Sequence, residues 1–211
     1  MSFFDEVSEP VRSPRKGAGM AAMRTRADMT NTAPPTAPLT HRLAKLADIP
    51  ALKGLMEAAI SELQKEFLKP DQIAASRAIM GLDSQLIEDG TYFIVQCGAD
   101  IAGCGGWSRR NTLYGGDHSP GRDAALLDPK TDAARVRAMY THPAYARRGV
   151  GRLILKLCEA AAASEGFRRV ELAGTLSGEP LYASCGYAAI ERFEDARGGA
   201  PVPLIRMGKA I

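Results

Sequence analysis

Residues 141–152 read Thr-His-Pro-Ala-Tyr-Ala-Arg-Arg-Gly-Val-Gly-Arg, and the apolar pattern on either side makes this the junction of a strand with a helix. A strand that ends in a glycine turn and opens directly into a helix aims several unpaired backbone N–H groups at one point, with the positive end of the helix dipole behind them. That arrangement suits a pyrophosphate, and glycine at 149 and 151 lets the anion come against the backbone. By itself the turn is equally an ordinary tight connection. Arg148, Arg152 and Lys156 recur every fourth residue and so share one helix face, either a solvated stripe or a row that meets further phosphates. The second group is Leu181-Tyr182-Ala183-Ser184-Cys185-Gly186-Tyr187. A phenol of ordinary pKa about 10 is matched as a proton donor to a departing thiolate of pKa about 8.5–10. The other reading of Tyr182 is a half-buried packing residue.

The elements that must position these groups follow from periodicity. A strand around residues 41–46 leads to Asp48 as an N-cap and Pro50 in a first helical turn. Leu52, Leu55, Met56, Ala59, Leu63 and Phe67 then form one apolar helix stripe. Lys69-Pro70-Asp71 breaks it, and a shorter helix is expected over 73–80. Residues 91–97 and 101–108 read as a hairpin about Gly98-Ala99-Asp100, with Gly103, Gly105 and Gly106 making its second strand irregular. The connection 109–133 is long for a compact domain and reads either as a functional lid or as disordered chain. A strand over 135–141, a helix over 150–165 ended by Gly166 and a strand over 169–173 make a right-handed crossover between parallel strands. A short helix near 179–185 and strands near 187–193 and 202–207 complete the chain.

Composition narrows the class. With 211 residues, 45% hydrophobic and 24% charged, the chain is an ordinary globular protein, not a collagen-like, coiled-coil or wholly disordered one. Its 27 basic residues are interleaved with 24 acidic ones for a net charge of +3, so no nucleic-acid partner is expected. Cys97, Cys104, Cys158 and Cys185 lack CxxC spacing and read as reduced core thiols, and no metal site is expected. No run of about 18 uncharged apolar residues occurs, and the first residues are acidic where a signal peptide is basic and apolar. No membrane partner and a cytoplasmic location are therefore expected. Residues 1–38, rich in proline and without apolar periodicity, are expected to be a disordered leader to a domain over 39–211.

The run RAMYTHPAYARRGVGRLILKLCEAAAASEGFRRVEL followed by LYASCGY resembles the GNAT superfamily of N-acetyltransferases. The resemblance is specific over 135–187 and rests on element order elsewhere. It implies an α/β (α+β) fold with a mixed, mostly antiparallel central sheet flanked by helices and one parallel β-α-β crossover. It also implies acetyl-CoA as cosubstrate, an amine-bearing acceptor, small molecule or protein, and a homodimer. Matched residue by residue, Arg147, Arg148, Gly149, Val150, Gly151 and Arg152 fall on the pyrophosphate loop, with Ala146 where the family has Gln or Arg. Met139, Tyr140 and Thr141 fall on the strand end that binds the pantetheine arm, and the Tyr140 amide is the expected thioester-polarising donor. Tyr182 falls on the general acid of a Y-x-x-x-G-F/Y motif, and Thr175 replaces the Asn that often precedes it by seven residues. The implied reaction is direct attack of the amine in a ternary complex. The alternative is a non-catalytic acyl-CoA-binding sensor or interaction module on the same fold. A nucleotide-binding enzyme fits less well, since no Lys-Ser/Thr pair follows the glycines.

A lysine-like amine of pKa near 10.4 is deprotonated in about one molecule in 2,500 at pH 7, a deficit of about 4.6 kcal/mol, so a base or water chain is expected. The glutamate that some family members place before the loop is absent; Arg135 and Arg137 stand there and suggest an acidic acceptor. Glu171, Glu66, Asp117 and His118 remain as candidate bases, each also readable as a structural or solvated polar residue.

Overall fold

The computed structural model describes residues 37–211; the leader expected over 1–38 lies outside them but for its last two residues. The elements in order are β1 (Leu39–Leu43), α1 (Ile49–Leu63), α2 (Pro70–Ser76), α3 (Ser84–Glu88), β2 (Tyr92–Cys97), β3 (Asp100–Ser108), β4 (Ala134–Thr141), α4 (Val150–Ser164), β5 (Arg169–Thr175), α5 (Glu179–Ser184), β6 (Ala188–Asp195) and β7 (Val202–Ala210). One seven-stranded sheet runs β1-β2-β3-β4-β5-β7-β6, antiparallel throughout except for β4 with β5. This is the mixed, mostly antiparallel sheet with a single parallel crossover that the resemblance implied.

Where expectation and structure differ, local chemistry gives the reason. β1 stops at Leu43, and Leu46–Asp48 form a 3-10 turn before α1. Asp48 does stand at the N-cap, but its carboxylate takes two hydrogen bonds from Arg42, both 2.7 Å, and one from the Lys45 amide instead of capping the helix. Pro70 does not break into a loop: it is the first residue of α2, where a missing N–H costs nothing. Phe67 lies beyond α1 and is 44% exposed, outside the expected stripe. Asp83 starts the unforeseen α3 by accepting the Gln85 amide at 3.2 Å.

Period-two alternation along β2 divides the core. Val95 and Cys97 join the α4 side, where Val150, Ile154, Leu155 and Cys158 pack in one continuous cluster with Trp107, Val170, Leu172 and Ile205. Tyr92 and Ile94 face the other way, onto α1 and α3. On that second side the core is in two pieces, the second formed by Leu68, Ala75 and Ile79, in and beside α2, with Val202 and Leu204 of β7. α4 lies on β2, β3 and β4, and the β3 glycines set how deep: a Cβ on Gly105 would stand 2.6 Å from the Ile154 side chain and 2.8 Å from that of Met139. The cysteines are all free, three buried and Cys185 half-buried.

Candidate active site

β4 and β5 stay together only through Ala134↔Val170 and Arg135↔Glu171. Past Arg135 they separate, and a cavity of about 140 Å³ opens between them on the side where the core is divided. Within β4, Cys104 opposes Tyr140 and Gly106 opposes Arg137, so Ala138 and Met139 together face Gly105. That bulge puts Ala138 at φ 49°, and the Tyr92 hydroxyl donates to its carbonyl at 2.7 Å. The Tyr140 hydroxyl accepts the Gly81 amide at 2.8 Å, which ties β4 to the segment between α2 and α3. The Tyr140 side chain is thus structural, and its backbone pairs with Cys104 across β3.

Met139, Tyr140, Thr141, Thr175 and Tyr182 all line this one cleft. Thr175 Oγ1 meets Ser177 Oγ at 2.9 Å and accepts the Gly178 amide at 3.3 Å, shaping the turn into α5. α5 carries Tyr182, whose hydroxyl has no hydrogen-bond partner among the described residues. Burial pushes that hydroxyl up to about 12, so it stays protonated at neutral pH.

The glycine loop lies apart from the cleft lining, at the start of α4. Gly149 is the N-cap at φ 84°, Arg147 also has a positive φ of 63°, and nothing lies within 4 Å of a Cβ built on Gly149. The first backbone bond of this turn is Leu153 N–H to the Gly149 carbonyl at 3.0 Å. The amides of Gly149, Val150, Gly151 and Arg152 have no acceptor among the described residues, which fits an anion at this point. A Cβ on Gly151 would also stand 2.6 Å from the Leu181 side chain of α5, a second reason for glycine there. The basic stripe is not one free row. Arg148 lies over the Tyr145 ring at 5.2 Å, Arg152 donates to Ser184 at 3.1 Å, and Lys156 is exposed.

The acceptor side departs most from the sequence reading. None of Glu171, Glu66, Asp117 and His118 lines the cleft. Glu171 is held by Arg135 at 2.6 Å and Arg206 at 2.7 Å; Asp117 receives the Ser84 amide at 2.9 Å; His118 Nε2 sits 2.8 Å from the Arg77 carbonyl; Glu66 is exposed. Arg135 faces Glu171 and Asn111, not an acceptor. Arg137 is buried against Asp83 at 2.5 Å and the Gly115 carbonyl at 2.7 Å, yet it does line the cleft. Connection 109–133 forms a wall of the cleft through Leu113, Tyr114 and Gly115. It is pinned by Arg110 on Asp89, by Arg122 on Asp83 and by the Tyr114 hydroxyl on Asp195 at 2.9 Å. Gln64, at the end of α1, is a lining residue with no sequence signal.

Among the described residues, no three His, Cys, Asp or Glu side chains group to hold a metal ion, and no helix is long and apolar enough to cross a membrane. No curated protein sequence is significantly similar to this chain. Solved structures are similar in fold. A GCN5-related N-acetyltransferase from Rhodopseudomonas palustris has TM-score 0.62 at 18% identity, over 84% of this chain and 98% of that one. The PaiA N-acetyltransferase from Thermoplasma acidophilum, in complex with coenzyme A, has TM-score 0.57 at 11% identity, over 82% and 99%. The yncA protein from Salmonella typhimurium, with its cofactor acetyl-CoA, has TM-score 0.53 at 17% identity, over 82% and 93%. The sequence model of the acetyltransferase (GNAT) family matches residues 56–187, the stretch that holds the split sheet, the glycine loop and Tyr182, and the chain belongs to that family.

Proposed function

We propose that this protein transfers the acetyl group of acetyl-CoA to an amine by direct attack in a ternary complex. The observation that carries the reading is the cleft between β4 and β5, lined by a protonated Tyr182 with a free hydroxyl and adjoined in sequence by the unpaired amides at the start of α4. Those amides and the open space at Gly149 suit the pyrophosphate, with Arg147, Arg148, Val150, Gly151 and Arg152 around it. Met139, Tyr140 and Thr141 offer backbone to the pantetheine arm. The Tyr140 amide is assigned to the charge that develops on the thioester oxygen, a role that requires it to turn away from Cys104, its partner across β3. The amine nitrogen attacks the carbonyl carbon, the C–N bond forms and the C–S bond breaks. Tyr182 gives its proton to the departing sulfur and regains one from the proton that nitrogen sheds, through water. The coenzyme bound to the similar folds from Thermoplasma acidophilum and Salmonella typhimurium supports this choice of cosubstrate.

Calorimetric titration with acetyl-CoA, beside Gly149→Asp, tests the reading. Aspartate is among the side chains that enter positive φ most readily, its Cβ meets no neighbour within 4 Å, and it sets a carboxylate where the pyrophosphate belongs. Saturable binding by the wild type, lost in the variant, is expected. Absence of wild-type binding would remove the cosubstrate, and binding without thiol release against any amine would make the protein a coenzyme-binding module.

A further inference from the structure

The wall that connection 109–133 gives the cleft is held by a carboxylate far from it in sequence. Tyr114 lines the cleft and is half-buried, and its hydroxyl donates to Asp195 Oδ2 at 2.9 Å, across 81 residues of chain. Asp195 closes β6 and is 6% exposed. Arg197 meets the same carboxylate through Nε at 2.8 Å and Nη2 at 2.5 Å, and its own amide donates to Oδ1 at 2.9 Å. Arg197 then turns back on the connection: its guanidinium lies 5.2 Å from the centre of the Tyr114 ring, and its Nη1 donates to the Pro120 carbonyl at 2.8 Å. Phe193 packs on the same ring, with centroids 5.7 Å apart.

The other end of this clasp is fixed. A Cβ on Gly198 would stand 2.1 Å from the Ala75 carbonyl oxygen, so the turn between β6 and β7 runs directly against α2, and Gln72 Nε2 donates to the Pro201 carbonyl at 2.7 Å. A buried carboxylate needs its partners, and Asp195 draws them from both sides, Arg197 from its own turn and Tyr114 from the wall. Neither β6 with its turn nor connection 109–133 holds a residue assigned to the coenzyme. Resting on the acetyl-transfer reading above, we propose that Asp195 is a positioning residue for the acceptor: acting through Tyr114, it holds the wall 113–115 in the place that sets how large an amine the cleft takes. Without that bond the wall yields, and a cleft of about 140 Å³ admits a larger group.

The test uses the full chain and two readouts. By thiol release from acetyl-CoA, the ratio of kcat/KM for 2-phenylethylamine to that for ethylamine is expected to rise about 10-fold in Tyr114→Phe and in Asp195→Ala, while calorimetric coenzyme A affinity holds. The double variant should go no further than the larger single effect, because one residue acts through the other. Asp195→Asn keeps an acceptor for the Tyr114 hydroxyl and gives up the charge beside Arg197, and it should stay near the wild-type ratio. By amide exchange, residues 112–121 should open about 5-fold faster in Tyr114→Phe and Asp195→Ala, the range for one lost hydrogen bond, and Tyr114→Phe keeps the ring that Phe193 and Arg197 pack on should Asp195→Ala fail to fold. An unchanged ratio in Tyr114→Phe, additive single effects, or unchanged exchange over 112–121 overturns the proposal. The two readings fail separately. Thiol release at an unchanged ratio sinks the clasp and keeps the transfer. Faster exchange in the variants of a chain that neither binds coenzyme A nor releases thiol keeps Asp195 as the support of the wall and sinks the transfer.

Discussion

Tyr182 owes its place to two side chains that are missing. A Cβ on Gly174 would stand 2.8 Å from the Tyr182 ring, and one on Gly178 2.7 Å from it. If Tyr182 is the acid, Tyr182→Phe should lower kcat about 100-fold with acetyl-CoA affinity unchanged, read by thiol release and calorimetry together. Gly178→Ala should reproduce much of that loss with the hydroxyl still present, because the ring must move. Retained turnover in Tyr182→Phe would take the residue out of the mechanism. The sign of the pH effect is set by burial. A hydroxyl held up to about 12 keeps its proton well past the usual phenol range, so kcat should show no alkaline fall from this group near pH 10, where an exposed tyrosine would give one. The motif made Tyr182 legible in the sequence. Gln64 and Arg137 were not legible as cleft-lining residues, because the packing of α1 and of the 109–133 connection against β4 brings them there, and no spacing encodes that.

At the scale of elements, the crossover was legible because each part is local: the stripe of α4, the cap at Gly166, the β-rich runs on both sides. The bases named from the sequence lie outside the cleft lining, and distant partners engage two of them. Glu171 is neutralised by Arg135 and by Arg206, 35 residues further on, and Asp117 is engaged by Ser84, 33 residues back. The β3 glycines belong to this scale as well, for they turn from an irregularity in a strand into the seat of a helix. Gly105→Ala should destabilise the fold by about 1–3 kcal/mol, the usual cost of overpacking, and weaken coenzyme binding as α4 is lifted. Denaturant unfolding and titration would show both effects. Unchanged stability would mean that Ile154 and Met139 have room to give. The bulge invites a milder change: Tyr92→Phe removes the bond to the Ala138 carbonyl and should reduce kcat more than coenzyme affinity.

Across the whole molecule, carboxylates are tied to guanidinium groups at places that join one element to the next. Arg42 holds Asp48 down to about 2, and Arg77 and Arg110 lower Glu57 and Asp89. Depressed folded pKa values mean stability that is complete above the ordinary carboxylate range of about 4 and is lost as pH falls toward 2. A melting temperature flat from neutral pH to about 5 and falling below 4 is expected; a fall that begins near pH 6 would implicate histidine instead. Two residue pairs are all that join the half-sheet β1–β4 to the half-sheet β5–β7–β6 by strand pairing, and on one side even the apolar core is parted. The seam of the molecule therefore runs through its site. In amide exchange the halves should open as separate cooperative units, with α4 the fastening between them, and any ligand that fills the gap acts as a suture whose presence slows exchange on both banks at once.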